Sequence, residues 1–92
     1  MIRINCFISV KEENRTAVLE AAKRLTAASL EQDGCIAYDI FESATRHEVM
    51  MICETWRDKA SLDAHSASQV FHDEVSVMHK LADQMKLETF EF

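Results

Sequence analysis

The sequence lacks proline altogether and contains a single glycine, Gly34. Because these two residues most often interrupt helices and strands, their scarcity predicts long regular elements with few long loops. Aromatic residues are also few, at 8%, whereas hydrophobic residues reach 48%, too high a share for a disordered chain. The 92 residues predict one domain, residues 1–92, whose thin core makes association a natural way to bury more apolar surface.

Positive charge is scarce as well, with 10 Lys and Arg against 16 Asp and Glu and a net charge of −6. A chain without a cluster of Lys and Arg binds phosphate groups poorly, so we expect neither nucleic acid nor an anionic membrane as a partner. No apolar run approaches the roughly 20 residues of a spanning helix. Since the N-terminus also lacks the pattern of a signal peptide, we expect a cytoplasmic protein.

Cysteine is present in an odd number, and Cys6, Cys35 and Cys53 lie far apart in the sequence. This spacing argues against a disulfide framework and against a CxxC site. We expect the three thiols to behave as small hydrophobic side chains on strands.

Hydrophobic periodicity predicts the first half of the chain as strand, helix and two strands. Ile2–Val10 alternates apolar and polar residues, as a strand does. Lys11–Gln32 has an apolar stripe with helical spacing and is followed by Asp33-Gly34 as a C-terminal cap. Cys35–Ser43 and Glu48–Trp56 predict two strands joined by a short connection; the second is almost continuously apolar and is expected to be covered on both faces.

The second half predicts two helices and a last strand. Asp58 is a candidate N-cap for a short helix to about His65, and Ser68 for a helix to about Gln84. Leu87–Phe92 alternates again and is typical of a strand.

The predicted order, β-α-β-β-α-β, is the ferredoxin-like arrangement of the α+β class, in which helices pack on one face of an antiparallel sheet. The opposite face would carry Phe7 and phenylalanines of the tail. An exposed apolar face marks an interface, so we expect a homodimer that pairs through the sheet face.

Three segments resemble the antibiotic-biosynthesis-monooxygenase family, in particular its quinol monooxygenase-like members, and they occur in the family's order. They are Ser29-x-Glu31-x-x-Gly34-Cys35-x-x-Tyr38-Asp39, Glu54-Thr55-Trp56-x-Asp58-x-x-x-Leu62-x-x-His65, and Ser68-Gln69-Val70-Phe71.

The resemblance implies a dimeric α+β barrel with a small apolar pocket between sheet and helices. It also implies a cofactor-independent monooxygenase that oxidises a small quinol-like or polyphenolic substrate with O2, with no cofactor and no metal. Other members degrade haem or isomerise small hydroxycarbonyl metabolites, and several have no known activity. A non-catalytic small-molecule-binding or dimerisation domain is therefore the main alternative.

Oxygenation without a cofactor requires a dry cavity, a base that deprotonates the substrate, and donors that hold the resulting anion. His65 is the first candidate base, because its ordinary pKa lies near neutrality; the alternative is a histidine at a helix end, half in solvent. Glu54 is the second, since an acid within an apolar strand is costly unless paired; the alternative is a structural ion pair with Arg3 or Arg57. Asn5 is the third catalytic candidate and would orient a phenolic oxygen.

Three aromatic residues are candidates for substrate contact, namely Trp56, Tyr38 and Phe71. For each of them, packing in the core is the competing interpretation.

His65, His72 and His79 recur every seven residues, but seven helical residues rise about 10 Å, which is too far for two ligands of one metal ion. The chain also departs from its relatives. Many members have Pro-His before the phenylalanine that is Phe71 here, where this chain has Gln69-Val70. Haem-degrading relatives carry an axial histidine near the position of Val75, so haem degradation is disfavoured unless His72 or His79 takes that part.

Overall fold

The four strands and three helices of the computed structural model, which describes all 92 residues, confirm the ferredoxin-like α+β fold. The elements are β1 (Ile2–Ser9), α1 (Glu12–Ser29), β2 (Cys35–Glu42), β3 (Val49–Trp56), α2 (Lys59–Ser66), α3 (Gln69–Leu81) and β4 (Gln84–Glu91).

The sheet has the strand order β2-β3-β1-β4, and every neighbouring pair is antiparallel. Side chains of a strand alternate between its two faces, so alternate residues of the two central strands point towards the helices. On that helix-covered face, Ile8, Met50 and Trp56 have no measurable exposure. They pack with Val18 and Leu25 of α1 in one core cluster.

The other side of the sheet, which we call the open face, has no helix over it. The sequence predicted that both faces of β3 would be covered. Within the single chain the open face is not covered, and Phe7, Phe41 and Phe90 are substantially exposed there. The strand register places on this face Arg3, Asn5, Phe7, Ala37, Asp39, Phe41, Val49, Met51, Cys53, Thr55, Lys86, Glu88 and Phe90.

Two boundaries in the second half of the chain differ from the sequence prediction, and both changes are imposed by contacts between elements. The third helix ends at Leu81 rather than near Gln84, because the Asp83 amide donates to the Ser9 carbonyl and the chain joins the sheet. The last strand therefore starts at Gln84, three residues before Leu87. Sheet pairing has overridden a helical pattern, as tertiary contacts often do.

Gly34 was expected to cap the first helix, but α1 ends at Ser29 with Leu30 as its C-cap. Gly34 lies in the turn before β2, where its φ of +83° suits a residue without a Cβ. A Cβ there would lie 2.0 Å from the hydroxyl oxygen of Ser61 on α2. The glycine thus allows α2 to approach the turn closely, and the Arg57 amide donates to the Gly34 carbonyl over 2.8 Å.

None of the three helices combines the length and apolar character that a membrane-spanning segment requires.

Candidate active site

An apolar pocket of about 190 Å³ lies between the helix-covered face and helices α2 and α3. This is smaller than most ligand pockets, so only a small compound, or part of a larger one, fits inside. Its lining comprises Ile4, Cys6, Leu25, Tyr38, Ile52, Glu54, Leu62, His65, Ser66, Phe71, Val75, Met78, His79, Met85 and Leu87.

Glu54 is the acid of this pocket and is only 7% exposed. Its side chain points towards the helices because it lies on the same face of β3 as Ile52 and Met50, two and four residues earlier. Burial raises the pKa of its carboxyl, while hydrogen bonds from Trp56 and Tyr38 work in the opposite direction. The indole Nε1 of Trp56 donates to Oε1 of Glu54 over 2.9 Å.

The ion pair that the sequence offered as an alternative for Glu54 is not formed. Arg3 donates to the hydroxyl of Thr55, and Arg57 donates to the carboxylates of Asp33 and Asp58. The Glu54 carboxyl is therefore free of arginine partners and available to a group within the pocket.

His65 is the base candidate of the pocket and is only 2% exposed, so the half-solvated helix-end position that competed with this interpretation is not observed. Burial lowers the pKa of its imidazole to about 4, which keeps the ring neutral near pH 7. Its Nδ1 lies 2.7 Å from Oε1 of Gln32, whereas its Nε2 is buried without a hydrogen-bond partner. The Nε2 lies 3.8 Å from Oε1 of Glu54, which with a neutral ring is a contact rather than an ion pair.

Three aromatic rings fix the imidazole of His65. The ring of Trp56 lies 4.5 Å from it between centroids, that of Phe71 lies 5.2 Å away edge-on, and that of Tyr38 lies 5.7 Å away. Phe71 and Tyr38 also line the pocket, while Trp56 packs behind the imidazole. Tyr38 stands opposite Glu54 across the β2–β3 ladder, and burial raises the pKa of its hydroxyl.

The structure does not bring Asn5 to this site. Asn5 lies on the open face, where Cys53 and Glu88 are its cross-strand neighbours. Its two neighbours in β1, Ile4 and Cys6, line the pocket instead. The alternation of β1 accounts for this placement, because Asn5 occupies an odd position.

The sequence interpretation overlooked Gln32, which follows α1 and meets His65 through its side chain. A lone glutamine near a predicted helix end carries no signal for such a contact. Of the other helical histidines, His79 lies at the pocket and His72 is exposed outside it. No group of three or more His, Cys, Asp or Glu side chains is placed to hold a metal ion.

Comparison with known proteins gives one family and several similar structures. The family model described as "Antibiotic biosynthesis monooxygenase" matches residues 1–76. A Bacillus subtilis protein named "Putative monooxygenase YcnE" is 31% identical over 71 residues, which are 77% of this chain and 75% of that protein.

Among solved structures, a Bacteroides thetaiotaomicron protein described as of unknown function and as a "possible oxidoreductase" is 54% identical. It superposes with a TM-score of 0.96 over 99% of this chain and 96% of its own. A conserved Methanosarcina mazei protein is 25% identical, with a TM-score of 0.93 over 98% of this chain and 90% of its own.

Proposed function

The chain belongs to the antibiotic biosynthesis monooxygenase family, and from this premise we propose that it oxidises a small quinol-like or polyphenolic substrate with O2. The proposed reaction uses no metal or organic cofactor. The observation that carries it is the unpaired Nε2 of His65, buried beside the Glu54 carboxyl in an apolar pocket. A buried ring nitrogen without a partner is rare, and a substrate hydroxyl is a suitable donor to it.

In the proposed first step, a phenolic hydroxyl of the substrate gives its proton to Nε2 of His65. The low pKa of the imidazole makes it a weak base in the empty pocket, so the imidazolium needs a partner once it forms. A Glu54 carboxylate 3.8 Å away supplies that charge, and the attraction is strong because the apolar surroundings screen it little.

The deprotonated substrate is then electron-rich enough to reduce O2. One oxygen atom of O2 bonds to a ring carbon and the other takes the proton back from His65, which gives a hydroperoxide. The hydrogen on that carbon then leaves as a proton while the O–O bond breaks, so that the carbon becomes a carbonyl and the outer oxygen departs as hydroxide. The hydroxide and the released proton form water. For a simple hydroquinone the balance is quinol plus O2 to hydroxyquinone plus water, with all four electrons coming from the substrate.

The pocket's walls support this assignment. Its lining is mainly aliphatic and aromatic, with Glu54, His65 and the Tyr38 hydroxyl among the few polar groups. Such walls hold an aromatic ring and exclude water from a reactive anion.

The test is O2 uptake with a panel of quinols and polyphenols. We expect uptake by the wild type and a loss of about 10²- to 10⁴-fold in kcat/KM for His65→Ala, the range that a general base supplies. Glu54→Gln should also lower kcat, because the imidazolium loses its partner. His72→Ala, an exposed histidine outside the pocket, is the matched control. Tight binding of these compounds without any O2 uptake would instead identify a non-catalytic binding module.

For the open face we propose a second copy of the same chain as the partner. Phe7, Phe41 and Phe90 remain 38–50% exposed there, which is costly for a chain this small. The Oδ1 of Asn5 is buried on this face without a hydrogen-bond partner in its own chain. A two-fold dimer would cover the apolar patch and could offer Asn5 a donor from the other copy.

A further inference from the structure

We infer that Gln32 is a positioning residue for His65, and that its amide and the Ser68 hydroxyl together fix the imidazole tautomer whose unprotonated Nε2 faces the pocket. The catalytic consequence of this inference rests on the proposed function, but the tautomer itself does not.

The argument begins at Ser68, whose hydroxyl has one hydrogen to donate. That hydrogen goes to the main-chain carbonyl of His65 over 2.7 Å, and a carbonyl can only accept. The Ser68 oxygen must then act as acceptor towards its other neighbours. It accepts from the amide of Phe71 and, over 3.3 Å, from the side-chain nitrogen of Gln32.

This acceptor role determines which way the Gln32 amide points. With its nitrogen towards Ser68, its oxygen Oε1 is the atom that lies 2.7 Å from Nδ1 of His65. The reversed amide would point its NH2 group at Nδ1, which would set two donors against each other if Nδ1 is protonated. It would also point the amide oxygen at the Ser68 oxygen, with no hydrogen available between the two oxygens. Since an amide oxygen only accepts, Nδ1 must carry the hydrogen. In a neutral ring, Nε2 is then the free lone pair.

The surroundings explain why a fixed partner is needed at Nδ1. A second, polar groove of about 340 Å³ lies on the other side of α2, and His65 is the one residue that lines both this groove and the apolar pocket. Gln32 lines the groove only. Without the glutamine, water in the groove could donate to Nδ1, and the ring proton could move to Nε2.

The tautomer matters because Nε2 must accept a proton before it can return one. A ring with its hydrogen on Nε2 would present a donor to the substrate hydroxyl and could not deprotonate it. Holding the hydrogen on Nδ1 keeps every turnover starting from the same state, as orienting partners of catalytic histidines do.

The direct test is 15N NMR of the side-chain nitrogens of His65 at neutral pH, without substrate. In the wild type we expect Nδ1 to show the chemical shift of a protonated nitrogen and Nε2 that of an unprotonated one. In Gln32→Leu we expect a mixture of tautomers and a fall in kcat of about tenfold or more, with KM less affected. Gln84→Leu, the same exchange at an exposed position at the start of β4, should leave both readouts unchanged.

Gln32→Glu is the conservative variant. Its carboxylate can still accept from Nδ1, so it should keep the tautomer and raise the pKa of His65, which the same spectra follow as a function of pH. The ionisable groups that line the two cavities beside the ring could also titrate. In the pocket these are Glu54 on β3, Tyr38 on β2 and His79 on α3, and in the groove they are Asp33, Arg57 and Asp58.

The outcomes separate this inference from the proposed reaction. A wild-type ring protonated on Nε2, or an unchanged tautomer in a folded Gln32→Leu variant, would overturn the inference whatever the activity. If no substrate supports O2 uptake but the spectra behave as expected, the tautomer assignment stands and the monooxygenase proposal fails. If Gln32→Leu does not fold, the wild-type spectrum and Gln32→Glu still decide.

Discussion

The two faces of the sheet use the same strands and a similar supply of apolar residues, yet they are in opposite states. On the helix-covered face Met50 is fully buried, and the proposed catalytic groups, Glu54 on β3 and His65 on the neighbouring helix α2, are nearly so. On the open face Phe7 and Phe41 are 38% and 50% exposed. Alternation along a strand therefore determines which residues share a face, but not what covers that face.

The largest expected difference between the faces is in stability, and adjacent methionines offer a matched test. Met50→Ala empties part of the core and should lower the free energy of unfolding by about 2–5 kcal/mol. Met51→Ala makes the same change one residue later, on the open face, and should cost about 1 kcal/mol or less in a dilute sample. Chemical denaturation at equal, low protein concentration measures both. Equal losses would mean that the open face is already as tightly packed as the core.

The second test concerns the charge state of the pocket. Because burial lowers the pKa of His65 to about 4, its unfolded form binds a proton between pH 6.5 and 4 that the folded form does not. The contribution of this residue to the free energy of unfolding is therefore fully present above pH 6.5 and is lost as the pH falls to 4. At 1.36 kcal/mol per pKa unit, the loss is about 3 kcal/mol. Glu54, with a raised pKa, has the opposite sign: its contribution is lost as the pH rises above 4.5.

The effect of His65 is isolated by subtracting the unfolding free energy of His65→Gln from that of the wild type at each pH. We expect this difference to grow by about 3 kcal/mol from pH 4 to 6.5. His72→Gln, at an exposed position of α3, is the control and should follow the wild-type curve. Parallel curves for His65→Gln and the wild type would contradict a neutral, buried imidazole.

The smallest expected effect concerns association through the open face. Phe7→Glu should raise the dissociation constant of the proposed dimer at least tenfold, about 1.4 kcal/mol, because a charge would be buried in the interface. Sedimentation equilibrium measures the constant. Leu30→Glu, an exposed leucine at the end of α1, is the control. A wild-type chain that is monomeric at micromolar concentration would refute the dimer. A dimer whose dissociation constant is unchanged by Phe7→Glu would show that the interface lies elsewhere.

Much of the fold was predictable because its signals are local. The alternation of Ile2–Ser9, the apolar stripe of α1 and the caps Asp58 and Ser68 each depend on residues close in sequence, and the structure contains all of them. The boundary between α3 and β4 was missed because pairing with the distant β1 decides it.

The site was predictable only in part, for a related reason. Glu54 and His65 stood out by chemistry, since an acid in an apolar strand is unusual and the ordinary pKa of histidine lies near neutrality. Asn5 was placed among them although its position in the alternation of β1 sends it to the other face. Gln32 could not be found at all, because its contact with His65 joins residues 33 apart through side chains alone.

The close approach at Gly34 has a consequence for the tolerance of the chain to substitution. Ser61, which lies against this glycine, is one helical turn before His65 on the buried side of α2. Even a methyl group at position 34 would have to push that helix outward, and the imidazole would move with it. The residue with no side chain thus sets how deeply the proposed base sits in its pocket, so an alanine there would disturb the site without altering any group that lines it.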